Sequence, residues 1–122
     1  VTVITWGQGV PVSLKAAELA AADGISCEVI DLRSIRPLDE AAIIQSVKKT
    51  NRAVAVYHGW PYGGVGGELV ARIQDLAFDD LDAPVARVCY EDVPMPYAEN
   101  LENLIIPSPE RAYEAIKRVL YK

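Results

Sequence analysis

A chain of 122 residues has the size of one domain, and its 51% hydrophobic and 24% charged residues suit one packed core under a hydrated surface. The net charge of −5 and the scattering of Lys and Arg exclude the basic stripe that marks nucleic-acid binding. No run of about 18 apolar residues offers a membrane span, and no basic start followed by an apolar stretch and a cleavage site marks a secretory leader.

The first element, Val1 to Trp6, is β-branched and aromatic and reads as a strand ending on the turn Gly7-Gln8-Gly9. It opens without an initiator Met, so a fragment of a longer protein is expected, with the chemistry in the missing part. Val12 to Asp23 predicts a helix with Val12, Ala16, Leu19 and Ala20 on one face and Gly24 as its stop. Ser26 to Leu32 is a second strand. Asp39 is placed to cap a helix whose apolar stripe is Ile43, Ile44 and Val47. Arg52 to Tyr57 is a third strand. After a Gly-rich loop, Leu69, Ile73, Leu76 and Ala77 recur at helical spacing. Val85 to Tyr90 is a fourth strand. Asp92 to Pro107 is expected to be irregular, because Pro94, Pro96 and Pro107 each remove a backbone donor. Ser108-Pro109-Glu110 starts a last helix, with a hydroxyl cap, proline at the first position and an acid against the dipole; Ala112, Ile116, Val119 and Leu120 face the core. Strands that alternate with helices, and that are apolar without alternation, predict a mainly parallel sheet covered on both faces, a three-layer α/β/α fold.

Few residues in this frame carry chemistry. Gly7-Gln8-Gly9-Val10-Pro11-Val12 begins like a dinucleotide-binding turn, but Val12 replaces the third glycine and Pro11 removes an amide. A tight strand-to-helix turn explains both glycines without a ligand. Gly59-Trp60-Pro61-Tyr62-Gly63-Gly64-Val65-Gly66-Gly67 lies before a helix, where free amides could hold an anion. It lacks the Lys-Ser/Thr pair of a phosphate loop, and the favoured reading is a loop needing positive φ and close approach to another chain, with Trp60 as anchor. His58, the single histidine, has no second ligand at metal spacing and no visible nucleophile, and reads as a partly exposed, hydrogen-bonding side chain. Cys27 and Cys89, both within strand-like runs, read as small core residues. Asp79, Asp80 and Asp82, and the pair Glu91-Asp92, are either solvated loop acids or patches that steer a basic partner.

Lys48-Lys49-Thr50-Asn51 through Gly59-Trp60-Pro61, then Asp82-Ala83-Pro84 and Asp92-Val93-Pro94-Met95-Pro96-Tyr97-Ala98, closely resemble the β subunit of the pyruvate dehydrogenase first component. The segment EVIDLRSIRPLD is similar to the transketolase C-terminal domain across 2-oxo acid dehydrogenases, and the likeness runs from Val1 to about Lys122. The first segment is shared with branched-chain 2-oxo acid and acetoin enzymes, whereas GWP…GVG with DVPMPYA leans to pyruvate.

The resemblance implies one transketolase C-terminal-type domain over residues 1–122, part of an α₂β₂ enzyme that decarboxylates pyruvate on thiamine diphosphate and passes the acetyl group to a lipoyl arm. Thiamine diphosphate and Mg would bind in the α subunit and the N-terminal domain of β, so no catalytic, cofactor or metal residue is expected here. The partners it implies are the α subunit, a second β subunit and the acyltransferase component's binding domain. Trp60 would anchor a subunit contact. Asp79, Asp80 and Asp82, with Tyr121 and Lys122, would dock the binding domain. Similar domains begin with one further antiparallel strand, so a chain starting at Val1 would keep four parallel strands ordered 2-1-3-4. Relatives usually carry an acid where this chain has Tyr57-His58, which puts that acid's role in doubt. The implied location is the cytoplasm of a bacterium, or the mitochondrial matrix or plastid of a eukaryote. A different class, a stand-alone small-ligand or nucleotide-binding domain using the first strand–helix turn, is the alternative.

Overall fold

The computed structural model describes residues 1–122. Four strands form one parallel sheet: β1 (Thr2–Thr5), β2 (Glu28–Asp31), β3 (Ala53–Val56) and β4 (Ala86–Val88), in the order β2-β1-β3-β4. The register aligns Val3 with Val29 and Val54, and Val56 with Val88. Five helices complete the chain: α1 (Gly9–Ala22), α2 (Glu40–Thr50), α3 (Val65–Ala77), α4 (Glu99–Ile105) and α5 (Pro109–Val119).

Side chains alternate across the sheet, and the two faces build two cores. Val3, Val54, Val56, Ala86 and Val88 meet Ala16 and Ala20 of α1 and Ala112, Ile116 and Val119 of α5. Ile4, Ala53, Ala55, Tyr57 and Cys89 meet Ile43 and Val47 of α2 and Leu69, Ile73 and Ala77 of α3. This is the expected α/β/α sandwich with the expected strand order.

The caps follow from side-chain chemistry. The Asp39 carboxylate accepts from the Ala42 amide at 3.0 Å, and the Ser108 hydroxyl accepts from the Arg111 amide at 3.2 Å with Pro109 leading the helix. Asn51 ends α2 in the left-handed conformation at φ 62°, one of the few that an asparagine adopts at low cost. Arg72 of α3 pairs with Glu68 on its own helix at 2.8 Å and with Glu40 of α2, joining the two helices of one layer.

Several expectations shift. Helix α1 starts at Gly9, three residues before Val12, because Pro11 falls in the first turn, where its missing N–H costs no hydrogen bond. The core-facing residues of α1 are Gly9, Ser13, Ala16 and Ala20, a row of small side chains that brings the helix close to the sheet. Leu19, and likewise Leu76 of α3, is exposed instead of buried. The stretch from Asp92 to Pro107 is not wholly irregular. Its prolines constrain only its two ends, and the proline-free run between them, with Glu99 and Glu102 in its first turn, forms α4.

Candidate functional site

In a parallel sheet, loops at the carboxyl ends of neighbouring strands diverge where the strand order reverses, and ligands favour that crevice. Here the reversal falls between β1 and β3, since α1 leaves on one face and α3 on the other. Aromatic side chains fill the crevice. Trp6 follows β1 and Tyr57 follows β3, and their rings stack at 5.0 Å with planes 8° apart. Tyr57 is almost fully buried.

Two glycines are required by this packing. A Cβ at Gly9 would collide with Thr5 Oγ1 and come within 2.7 Å of the Val56 carbonyl oxygen. A Cβ at Gly66 would collide with the Tyr57 ring. The turn at Gly7, with φ 56°, and the close approach of α1 at Gly9 account for the first strand–helix glycines on structural grounds. In the second loop Gly63 supplies the expected positive φ, at 70°. Within the chain, the close approach at Gly66 is to Tyr57, a large ring at a strand end that needs room above the first turn of α3.

Around this stack the edge is aromatic. Trp60 is 42% exposed, meets Tyr90 edge-on at 5.1 Å, and donates from Nε1 to the Val93 carbonyl at 2.9 Å. His58 also lies edge-on to Tyr90, at 5.6 Å. The half-buried His58 has no hydrogen-bond partner at Nε2, contrary to the expected hydrogen-bonding histidine. Burial lowers its pKa below the ordinary 6.5 and favours the neutral ring. The Tyr57 hydroxyl is buried without a partner as well, and burial first, then Cys89 beside it, raises its pKa. Arg87 Nη1 donates to the Pro61 carbonyl at 2.8 Å and braces the Gly-rich loop from β4. Cys89 is buried in the core and Cys27 half-buried against the opposite one, both as free thiols, which fits their sequence reading.

The opposite edge, where the strands begin, holds the acids. Asp79 and Asp80 lie in a short 3₁₀ turn, Phe78–Asp80, after α3. Asn51 arranges this loop: its side-chain amide donates to the Asp80 carbonyl at 2.8 Å, and its own carbonyl accepts from the Asp82 amide at 2.8 Å. The Tyr121 hydroxyl donates to the Asp82 carbonyl at 3.3 Å. Arg52 donates from Nε to the Val119 carbonyl at 2.7 Å and faces the Asp82 carboxylate at 3.6 Å. Asp79, Asp82 and Tyr121 thus line one open groove with Phe78, Leu81 and Pro84. Asp80 is half-buried beside it, and Lys122 is exposed and outside its lining. Trp60 stands at the other end of the sheet, so the six residues form two separate surfaces.

Asn51 and Tyr57 were missed as organisers of these edges, and Phe78 as part of the groove lining. The Lys-Lys-Thr-Asn helix end was a legible signal for Asn51, since asparagine is a frequent left-handed cap. Nothing local marks the collision partner of Gly66, because Tyr57 lies nine residues away and meets it only through the fold.

No cluster of three His, Cys, Asp or Glu side chains is placed to hold a metal ion. No helix is long and apolar enough to cross a membrane.

The chain matches the family of transketolase C-terminal domains over residues 1–112. It is 50% identical over 121 residues to the pyruvate dehydrogenase E1 component subunit beta of Rickettsia conorii, covering 99% of this chain and 37% of that protein. It is 52% identical over 122 residues to the mitochondrial subunit beta-1 of Arabidopsis thaliana, covering all of this chain and 34% of that protein. The chain therefore spans roughly a third of the length of these curated relatives. Among solved structures it is similar to a split-gene transketolase described as an inactive β4 tetramer, with a TM-score of 0.79 and 23% identity, over 98% of this chain and 38% of that one. That likeness bears on the fold. With the four-stranded parallel order, the two-faced core and the family match all in agreement, this chain belongs to the transketolase C-terminal domain family.

Proposed function

We propose that the chain is the C-terminal assembly and docking domain of the β subunit of a thiamine-diphosphate-dependent pyruvate dehydrogenase, the component that decarboxylates pyruvate and reductively acetylates a lipoyl arm. The observation that carries this reading is about 50% identity, over essentially the whole of this chain, to proteins named as that subunit in bacteria and in mitochondria. In this reading residues 1–122 are one domain of a longer subunit. Thiamine diphosphate and Mg are held by the α subunit and the N-terminal part of β. The protein works in the cytoplasm of a bacterium or in the mitochondrial matrix or plastid of a eukaryote.

The geometry supports a division of labour between the two edges. Trp60 belongs to the contact with the α subunit or the second β subunit: an indole held by its own hydrogen bond, with part of its face in solvent, is preorganised to anchor a partner. At the opposite edge Asp79, Asp80, Asp82, Tyr121 and Lys122 receive the acyltransferase's binding domain, away from the carboxyl edge where active sites in such sheets gather.

Activity is tested with the full-length chain and its α partner: rapid turnover of pyruvate and poor turnover of branched 2-oxo acids and acetoin is expected. The reverse preference would assign the chain to a branched-chain or acetoin dehydrogenase. Trp60→Ala is expected to weaken subunit assembly by about 2 kcal/mol or more; unchanged assembly would remove the anchor. Titrating the binding domain against wild type and Asp82→Asn at low and high salt tests the groove, and equal affinities in both conditions would take Asp82 out of the interface.

A further inference from the structure

Between Arg87 and Arg111 the chain holds five acids, Glu91, Asp92, Glu99, Glu102 and Glu110, and no Lys, Arg or His. The same segment leaves the body of the protein, and every residue from Tyr97 to Leu104 is exposed. Polar ties hold its two ends. Trp60 Nε1 reaches the Val93 carbonyl at the start. At the end, Arg111 donates to the carbonyls of Cys89, Ile105 and Ile106 at 2.9, 3.1 and 3.0 Å and pairs with Glu91 at 2.8 Å. Ile105 is the buried residue of α4. Leu101 and Leu104, three apart and so on neighbouring positions of the helix surface, are 48% and 72% exposed, and Tyr97 stands wholly in solvent.

A helix as short as α4 is not stable in water by itself, and one buried isoleucine holds it weakly. Two leucines and a tyrosine turned outward on such a segment make an unpartnered contact face. The charges select the partner. Asp92, Glu99 and Glu102 make no ion pair within the chain. An anionic lipid surface or a nucleic acid would be repelled by them, and the same face of a second copy would bring like charges together. A surface with an apolar slot bordered by cations satisfies both the leucines and the carboxylates.

We infer that Asp92–Leu104 is a docking strap, seated in the assembled protein against a different polypeptide whose surface offers an apolar slot bordered by lysines or arginines. This gives the chemistry of one contact in the multi-chain enzyme proposed above and rests on that reading. Arg111 and Trp60 hold the two ends of the strap so that the intervening face is presented in one conformation before the partner arrives.

The test compares the assembly purified from its native source with the isolated full-length chain. Amides of α4 are expected to exchange at least about tenfold more slowly in the assembly. Zero-length carboxyl-to-amine cross-linking is expected to join Glu99 or Glu102 to a lysine of another polypeptide. The double variant Glu99→Lys/Glu102→Lys, both at exposed positions, is expected to keep the wild-type melting temperature and to dissociate about tenfold more readily at low salt. The inference is overturned by equal exchange of α4 in both states, by cross-links only to a second copy of this chain, by unchanged assembly of the double variant, or by a native preparation holding this chain alone. A protected strap in an assembly that does not act on pyruvate overturns the proposed function and leaves the strap standing.

Discussion

The two edges of the sheet are built from different forces. At the carboxyl edge the crevice between β1 and β3 is closed by steric fit: Trp6 on Tyr57, Tyr57 against Gly66, and α1 against Val56 at Gly9. At the amino edge the acidic loop is held by hydrogen bonds from Asn51 and Tyr121 and by a loose Arg52–Asp82 pair. Polar ties tolerate small changes because water can replace either partner. Interlocked rings and backbone do not, because a dense interior has no room to give. The crevice between β1 and β3 is therefore rigid, whereas the acidic loop can adjust to a docked partner.

The largest effect is expected where that rigidity is attacked directly. Gly9→Ala and Gly66→Ala each introduce a methyl into occupied space, against backbone in one case and a buried ring in the other. Each is expected to lower stability by about 3 kcal/mol, the upper range for overpacking, with Gly66→Ala also altering the Trp6 fluorescence through its stack on Tyr57. A denaturant midpoint within error of wild type for both would break the contrast between the edges.

Next comes Arg111→Ala, which frees three carbonyls at the end of β4 and around α4. Because the guanidinium is partly exposed and water can reach the site, a loss of about 1–2 kcal/mol is expected. It should appear as faster hydrogen exchange in residues 99–105 before any change in the sheet. Uniform acceleration throughout the chain would show that Arg111 holds the whole fold instead of this segment.

A smaller, pH-dependent effect belongs to His58. Its folded pKa lies below 6.5 because burial disfavours the charged ring. The unfolded chain therefore takes up the proton first as the pH falls, and the stability of the neutral folded form is lost below about 6.5, levelling off once the folded ring also protonates. His58→Gln is expected to lack this dependence, so that the wild-type minus variant stability difference falls between about pH 7 and pH 5. A difference that does not change with pH would show that the ring is solvated in both states.

Asp82→Asn should be the mildest. The carboxylate is 58% exposed and 3.6 Å from Arg52, so stability is expected to change by less than about 0.5 kcal/mol. A loss above about 1 kcal/mol would mean that the amino edge is as tightly built as the carboxyl edge.

The sequence by itself determined the order of the four strands and of four of the five helices, the three layers and the caps at Asp39 and Ser108, because apolar periodicity, cap chemistry and proline position act within a few residues along the chain. With the family resemblance added, it also determined the strand order. It marked Trp60, Asp79, Asp80, Asp82, Tyr121 and Lys122 as contact candidates without showing that they divide between opposite ends of the sheet. Only the tertiary structure decided that the Gly-rich loop is shaped by Tyr57, that Asn51 arranges the acidic turn from 29 residues away, and that the proline-bounded segment carries a helix with its leucines outward. Each of these depends on residues distant in sequence meeting in space. Local patterns record which face of an element is apolar, but not which ring or carbonyl will stand against it.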